Sequence, residues 1–551
     1  MKKQLGAISH LKFIAMMVVL LMGPLSLSYA KWELSRVPGA TQVMQFPIEG
    51  EWVVKLKDQD SGAFSTGILN SMGVETTRIG NSPLLEIRET GKRGARTSAE
   101  LRSLLLSQSG VEWVAPNYRY VGEARDMEFG VSEPSFPEQF HHRPMQSQEA
   151  WREISTDTTV VVAVTDDAVD TTHEDLREVI WKNTREIPGN GIDDDGNGYI
   201  DDVNGWDFAS NDNDPNPPTP SSNHGTHCSG IIGAQNGNGI GIAGAAPTAR
   251  VMPLRFYGGQ AWTSALIART YAYAVDNGAK IISTSFNIDS FTNDQVFRAA
   301  VRYGFDRGLL HFNSAGNNSS DNPARTRIPG LIFVCSTTAD ATSADVVSSF
   351  SNYGDRVHVC APGSGVLSTF PANTYGRASG TSMATPNAAG VAALIWSQRP
   401  EWSRDQVLAQ LLGTADVIDE QNPRFVGKVG SGRVNSFRAL REVAVESRLL
   451  SIREVQNGVV PRTTRTLSVL VRGVLNPKIL TGSNFELVRA DGQKFKLSVD
   501  GEFLSTSREL VLRLPRDLGR GQFRLAIPAS RQIDPFGQET SRDFIETFEI
   551  R

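Results

Sequence analysis

The sequence predicts an α/β protein built on a largely parallel sheet with helices on both faces, preceded by a small α/β unit and followed by a small all-β sandwich. Three observations carry this. "TVVVAVT" (Thr159–Thr165) is a continuous apolar run, the pattern of a strand buried on both faces. From about Trp151 to Arg441, strand-like and helix-like stretches alternate, which implies parallel strands joined by covering helices. From about Ser451 the helical periodicity stops and short alternating stretches separated by turn residues take over, as in a sandwich.

The elements follow in order. Residues 1–30 begin with Lys2 and Lys3, continue through an apolar run from Phe13 to Met22 and close on Ser28-Tyr29-Ala30, with small residues at the −3 and −1 positions. This is the pattern of a secretory signal peptide, and the apolar run falls short of the about 20 residues that span a bilayer. Lys31, where a lipid anchor would need cysteine, excludes that anchor, so the mature chain is expected to be secreted, extracellular or periplasmic, with no transmembrane segment. Residues 31–125 read as the small α/β unit: "EWVVKLK" and "LLEIRE" alternate as strands, "SAELRSLLLSQSG" is a serine-capped helix with a glycine stop, and "VEWVAPNYRY" is a last strand. Residues 126–150 are polar and proline-spotted and read as a linker. Residues 151–446 form the main domain. Its helices are expected at Ser264–Gly278, Asp294–Gly308 and Ser403–Gly413, the last with capping-box spacing from Ser403 to Gln406. Its further strands are expected at Lys280–Phe286 and from Leu309. Residues 451–551 form the sandwich, with strands in "TLSVLVRG", "FKLSVDG", "ELVLRLP" and "QFRLAIP".

Composition narrows the function classes. At 551 residues the chain holds several domains, and a net charge of −5 gives no basis for nucleic-acid binding. Three cysteines cannot build a disulfide framework. Cys228 reads as a free buried thiol, while Cys335 and Cys360 end apolar stretches and either pair or are plain core residues.

The chemistry centres on "RASGTSMATPNAAGVAALI" (Arg377–Ile395). Ser382 is either a helix cap or a nucleophile presented at a helix N-terminus, where free amides would stabilise an oxyanion. Two other segments bear on the choice. Asp166 ends the apolar strand in "VAVTDDAVD", and His224 opens "HGTHCSGIIGA". A serine needs a base, and a histidine near neutral pKa needs a carboxylate to fix its tautomer. The chain order Asp, His, Ser is that of the subtilisin arrangement, and the serine segment lacks the second glycine of a G-x-S-x-G elbow.

Together "VAVTD", "HGTHCSG" and "GTSMATP" resemble the motifs of subtilisin-like serine proteases, the subtilase family, over roughly Trp52 to Leu440. The resemblance implies Asp166 as orienter, His224 as base, Ser382 as nucleophile and Asn317, in "NSAGNNSS", as the oxyanion-hole side chain. It implies substrate binding by Ser285, Phe286 and Asn287 and by Ser314, Ala315 and Gly316. It makes residues 31–125 a propeptide, an intramolecular inhibitor and folding aid removed by self-processing. His227 is expected to be structural, and Asp170 and Asp175 turn or cap residues. The chain departs from the family at Asn287-Ile288, where Gly-Gly is usual and side chains would narrow the cleft, and at Asp167-Ala168, where Ser/Thr-Gly is usual.

The insert "GNGIDDDGNGYIDDVNGWDF" (Gly189–Phe208) sets Asp193, Asp195, Asn197 and Asp201 at EF-hand-like positions, although position twelve is Asn204. These hard oxygen ligands favour Ca²⁺, and similar acidic inserts occur in calcium-binding subtilases. The expected function is a serine endopeptidase cutting peptide or protein substrates through an acyl-enzyme. The alternatives are a catalytically weak scaffold or an esterase. The C-terminal sandwich lies outside the resemblance, so its removal is expected to leave hydrolysis of a small peptide largely intact.

Overall fold

The computed structural model describes residues 43–57, 74–78, 84–89, 98–108, 110–122, 133–257, 263–339, 344–442, 448–476, 481–500, 508–532, 534–537 and 542–551. The signal segment 1–30 and residues 126–132 lie outside them. The chain divides after Met127 into two compact units.

The first unit has strands β1 (Val43–Leu56), β2 (Val74–Arg78), β3 (Leu84–Glu89) and β4 (Val111–Gly122), with helix α1 (Ser98–Leu106) before β4. The antiparallel order is β2-β3-β1-β4. Trp52 and Val54, two apart on β1, share an inward face, and Leu101 and Leu105, four apart on α1, join them in one core. Strand β2, "VETTR", has a single apolar residue and carries no periodic signal.

In the second unit the helices α2 (His142–Met145) and α3 (Ser147–Trp151) precede the main sheet. They correct the linker reading for residues 133–150. His142 Nε2 and Gln139 Nε2 meet the Ala243 carbonyl at 3.0 and 2.9 Å, and Trp151 Nε1 donates to Ala245 at 3.1 Å. The segment is polar in sequence because its polar groups bond a loop that sequence distance hides.

The sheet has strands β5 (Val160–Asp166), β6 (Trp206–Asp207), β7 (Ala249–Arg255), β8 (Ile281–Thr284), β9 (Leu310–Ser314), β10 (Ile332–Thr337) and β11 (Val359–Pro362). All pairs are parallel, in the order β11-β10-β9-β8-β5-β7-β6. Four helices cover it: α4 (His224–Gly233), α5 (Ser264–Asp276), α6 (Gln295–Asp306) and α7 (Thr381–Gln398). Alternate residues of β5 show why its run is unbroken. Val160, Val162 and Val164 join the core under α4 and α7, while Ala163 joins the core under α5 and α6. Helix α7 is buried along almost its whole length, as an apolar helix must be. Replacing its fully buried Leu394 by alanine would cost about 2–5 kcal/mol.

Helices α8 (Arg404–Gly413), begun by the expected Ser403/Gln406 capping box, and α9 (Ser436–Arg441) complete this part, with a hairpin of β12 (Val366–Phe370) and β13 (Thr374–Ala378) leading into α7. Cys335 and Cys360, directly paired on β10 and β11, form a disulfide, and Cys228 is free and buried.

The C-terminal strands are β14 (Arg448–Ile452), β15 (Val459–Val460), β16 (Thr466–Arg472), β17 (Glu486–Arg489), β18 (Lys494–Phe495), β19 (Ser498–Asp500), β20 (Glu509–Arg513), β21 (Gly521–Ile527) and β22 (Phe544–Ile550). They form two sheets, β14-β16-β20-β19 and β15-β22-β21-β17-β18, whose inward residues such as Leu467, Leu512, Leu525 and Phe548 share one core.

Candidate active site

In a parallel sheet the strand C-termini share one edge, and a site forms where the chain order reverses. Here β5 lies between β7 and β8. Asp166 ends β5 and is 7% exposed. His224 opens α4 and turns Nδ1 to Asp166, 2.8 Å from Oδ1 and 3.0 Å from Oδ2. A carboxylate only accepts, so Nδ1 carries the hydrogen and Nε2 is left as the basic nitrogen. Burial opposes the imidazolium, but the Asp166 carboxylate outweighs it, and His224 is held well above the usual histidine range.

Sequence reasoning treated Asp167 only as a departure. Its carboxylate accepts the N–H groups of His224 (3.2 Å) and Gly225 (2.8 Å), the first two of α4, so it caps the helix that carries the imidazole. Burial and Asp166 push the Asp167 carboxyl up, while these two amides and His224 pull it down. Asp-Asp at a strand end, facing a helix start elsewhere, was the available signal.

Ser382 is not the helix cap. Gly380 holds that position, and Ser382 is the second residue of α7. Its Oγ donates to the Ser285 carbonyl at 2.9 Å, and Ser285 Oγ donates to the Ser382 carbonyl at 3.0 Å. Cys228 Sγ lies 3.6 Å from the Ser382 carbonyl and 3.9 Å from His224 Nδ1, so it fills the space between the helices. Burial raises its thiol pKa, which leaves it an uncharged filler.

Asn317 completes the geometry. Its Oδ1 accepts from Thr381 N (2.9 Å) and Thr381 Oγ1 (2.8 Å), which turns Nδ2 toward Gly380. A methyl carbon added to Gly380 would lie 3.3 Å from Asn317 Nδ2 and 3.5 Å from Ser382 N. Two N–H donors therefore flank one small space that only glycine leaves open. Gly316, at φ +103°, holds the preceding turn.

Of the other expected substrate residues, Ser285 is bonded to Ser382. Ser314 and Ala315 are buried, Phe286 packs on Phe256 at 4.5 Å, and Asn287 is exposed. Ile288 corrects the narrowing expectation at its own position, because its side chain is wholly buried in the core under α5 and α6. His227 is a buried structural residue: Nε2 meets the Gly376 carbonyl at 3.2 Å, and burial lowers its pKa to about 4. Asp170 accepts from Thr172 and Ala372, as a turn residue does.

The acidic insert changes membership. Oxygens of Asp193, Asp195 and Glu186 lie within 4.8 Å of one another. Asp201 instead accepts the amides of Gly189, Asn190 and Gly191, and Asn197 turns its amide to Asp202. Glu186, outside the EF-hand spacing, takes the expected place of Asp201. A second acidic pair went unread. Glu133 is 2% exposed and holds the amides of Gly237 and Asn238 through Oε1, while Oε2 has no hydrogen-bond partner. Burial pushes nearby Asp175 up to about 6, with Glu133 adding in the same direction. Its carboxylate accepts from Asn238 Nδ2 (2.8 Å) and Ile242 N (2.9 Å), so Asp175 holds a remote loop rather than the local turn or cap the sequence suggested.

The Subtilase family matches residues 157–434. Thermitase of Thermoactinomyces vulgaris is 34% identical over 306 residues, 55% of this chain and 96% of that one. "Thermophilic serine proteinase" of Bacillus sp. (strain AK1) is 30% identical over 397 residues, 71% of this chain and 88% of that one. "Halolysin-like extracellular serine protease Nep" of Natrialba magadii is 30% identical over 340 residues, 61% of this chain and 56% of that one. On the family match and the near-complete span of thermitase, the chain belongs to the subtilase family and is a serine-type endopeptidase.

Proposed function

We propose that this is a secreted endopeptidase, made as a self-processing precursor, in which Ser382 is the nucleophile, His224 the base, Asp166 its orienter and Asn317 the oxyanion donor. One observation carries the reading: the Asp166–His224 pair and Ser382 share the sheet edge, and Asn317 Nδ2 and Ser382 N face one open space beside Gly380. In the reaction Ser382 Oγ leaves the Ser285 carbonyl, gives its proton to His224 Nε2 and attacks the peptide carbonyl carbon. The oxyanion is held by Asn317 Nδ2 and the Ser382 amide, worth about 3–4 kcal/mol for the side-chain donor. His224 then protonates the leaving amine, and water, deprotonated by His224, cleaves the acyl-enzyme.

Two acidic groups fit Ca²⁺. Glu186, Asp193 and Asp195 offer hard oxygens at one point, and Glu133 with Asp175 includes a buried carboxylate oxygen that lacks a hydrogen-bond partner. Calcium there would neutralise buried charge and support stability rather than chemistry. Secretion rests on the signal-like residues 1–30 and on relatives such as the extracellular Nep protease. Residues 31–125 would act as propeptide. Because residues 133–151 pack into the second unit, the cut falls before Glu133, within the polar stretch that follows Gly122.

Expression of Ser382→Ala in a host lacking other exported proteases tests the precursor reading. The full proform should accumulate after signal removal. Normal processing of that variant would assign the cut to another enzyme.

A further inference from the structure

The described residues of the C-terminal sandwich include none of the proposed catalytic residues, yet they grip a strap that pairs with the loop holding Asn317. Residues 350–355 run alongside the oxyanion loop, 316–322, and are zipped to it. Asn352 N donates to the Gly316 carbonyl (2.8 Å), Ser319 N to Phe350 (2.9 Å), Tyr353 N to Ser320 (3.0 Å) and Asn322 N to Tyr353 (2.8 Å). The Asn352 side chain closes the loop: Oδ1 accepts from Asn318 N (2.9 Å) and Ser320 N (2.8 Å), and Nδ2 donates to the Ala315 carbonyl (2.9 Å). Asn317 sits between the residues so held.

Asp355, the last residue of the strap, and Arg356, just after it, belong to a cluster of charges with the sandwich. Arg356 Nη2 lies 2.6 Å from Glu509 Oε2, at the start of β20. Arg453, after β14, pairs with Asp355 at 3.2 Å and also with Glu509. Glu509 is 7% exposed. Removing one partner of such a buried pair leaves the others uncompensated, so the contact resists displacement. Apolar contact continues it: Phe536 packs on Trp402 at 5.0 Å, and Val474 enters the core under α7.

We infer that the C-terminal sandwich is a positioning element for the oxyanion hole, acting through the Glu509/Arg453 grip on Asp355-Arg356 and the Asn352 strap. This reverses the sequence expectation that the sandwich is dispensable for small substrates, and it rests on the role given to Asn317 above. A donor must meet the developing oxyanion within a few tenths of an ångström, and a shift of about 1 Å from a remote change costs up to about 100-fold.

The test is a double-mutant cycle on the full chain with a chromogenic peptide anilide, active enzyme being counted by burst titration. Glu509→Gln should lower kcat about 5- to 10-fold well below its melting temperature, with KM within about twofold and the acid limb of the pH profile unmoved. In an Asn317→Ala background the same substitution should cost less than about twofold, because the donor it positions is gone. Equal losses in the two backgrounds, or an unchanged kcat, would overturn the inference. If Glu509→Gln does not fold, Arg356→Lys keeps the charge, loses the fork and enters the same cycle with the same criteria. An Asn317→Ala enzyme with full activity would instead refute the oxyanion role itself, a result separable from the cycle.

Discussion

The proposed acid–base half of the site, Asp166 and His224, differs from the proposed oxyanion half, Ser382 and Asn317, in how far its supports reach. The first is held by two neighbouring carboxylates at the end of β5: Asp166 on the imidazole, Asp167 on the amides that begin its helix. The second is held mostly by hydrogen bonds between side-chain amides and the backbone. Thr381 fixes Asn317, Asn352 fixes its neighbours, and the strap bearing Asn352 continues into contacts with a domain more than 90 residues further along the chain. A base needs an electrostatic environment, which a few nearby charges supply. An oxyanion hole needs coordinates, which only a large rigid frame supplies.

The largest way to separate the halves is Asn317→Ala. With Asn317 as the proposed oxyanion donor, this substitution should lower kcat about 10²- to 10³-fold with little change in KM, the size expected for loss of one such donor. Its pH profile should keep the wild-type acid limb, since His224 is untouched. A shifted limb would mean that the halves are not independent.

The pH profile sharpens the other half. His224 must be neutral to accept a proton, and Asp166 holds its pKa well above 6.5. Activity should therefore fall as pH drops through a midpoint above the usual histidine value, read as kcat/KM against pH. Asp167→Asn removes a negative charge near the imidazolium, so that midpoint should move down, by about one unit or less. Asp167→Ser, an uncharged cap, should move it equally while keeping kcat on the alkaline plateau. A midpoint unmoved in both variants would limit Asp167 to capping.

Chelation should leave both halves chemically intact and lower stability. Removing Ca²⁺ should reduce the melting temperature by roughly 5 °C or more, restored by added Ca²⁺, in scanning calorimetry. Glu133→Gln and Asp193→Ala should each remove part of that response. A chelator effect unchanged in both variants would exclude these acidic groups.

Much of the architecture was legible because parallel strands announce themselves: "TVVVAVT" has no polar face to hide, and the caps of α5, α6 and α8 are local chemistry. The polar residues failed where their partners were remote. Gln139 and His142 looked like linker because the carbonyl at Ala243 is 104 and 101 residues away. Asp201 fitted a ligand spacing, but neighbouring amides satisfy its carboxylate, and Glu186 reaches the cluster from outside the repeat. Asn352 carries no motif at all. Its importance lies in three bonds from its side chain to backbone groups of Ala315, Asn318 and Ser320, 32 to 37 residues away in sequence.

The central claim, that Ser382 is a nucleophile activated by His224 and not the cap of α7, is tested most directly by covalent labelling. A sulfonyl fluoride should transfer its sulfonyl group to one serine oxygen, with fluoride leaving and the hydroxyl proton passing to His224. Intact mass spectrometry should show one adduct per mature chain, peptide mapping should assign it to Ser382, and activity should be lost in proportion. The pure proform of Ser382→Ala should gain no adduct. An adduct on another residue with loss of activity, or a fully labelled Ser382 in an enzyme that still cleaves peptides, would contradict the account.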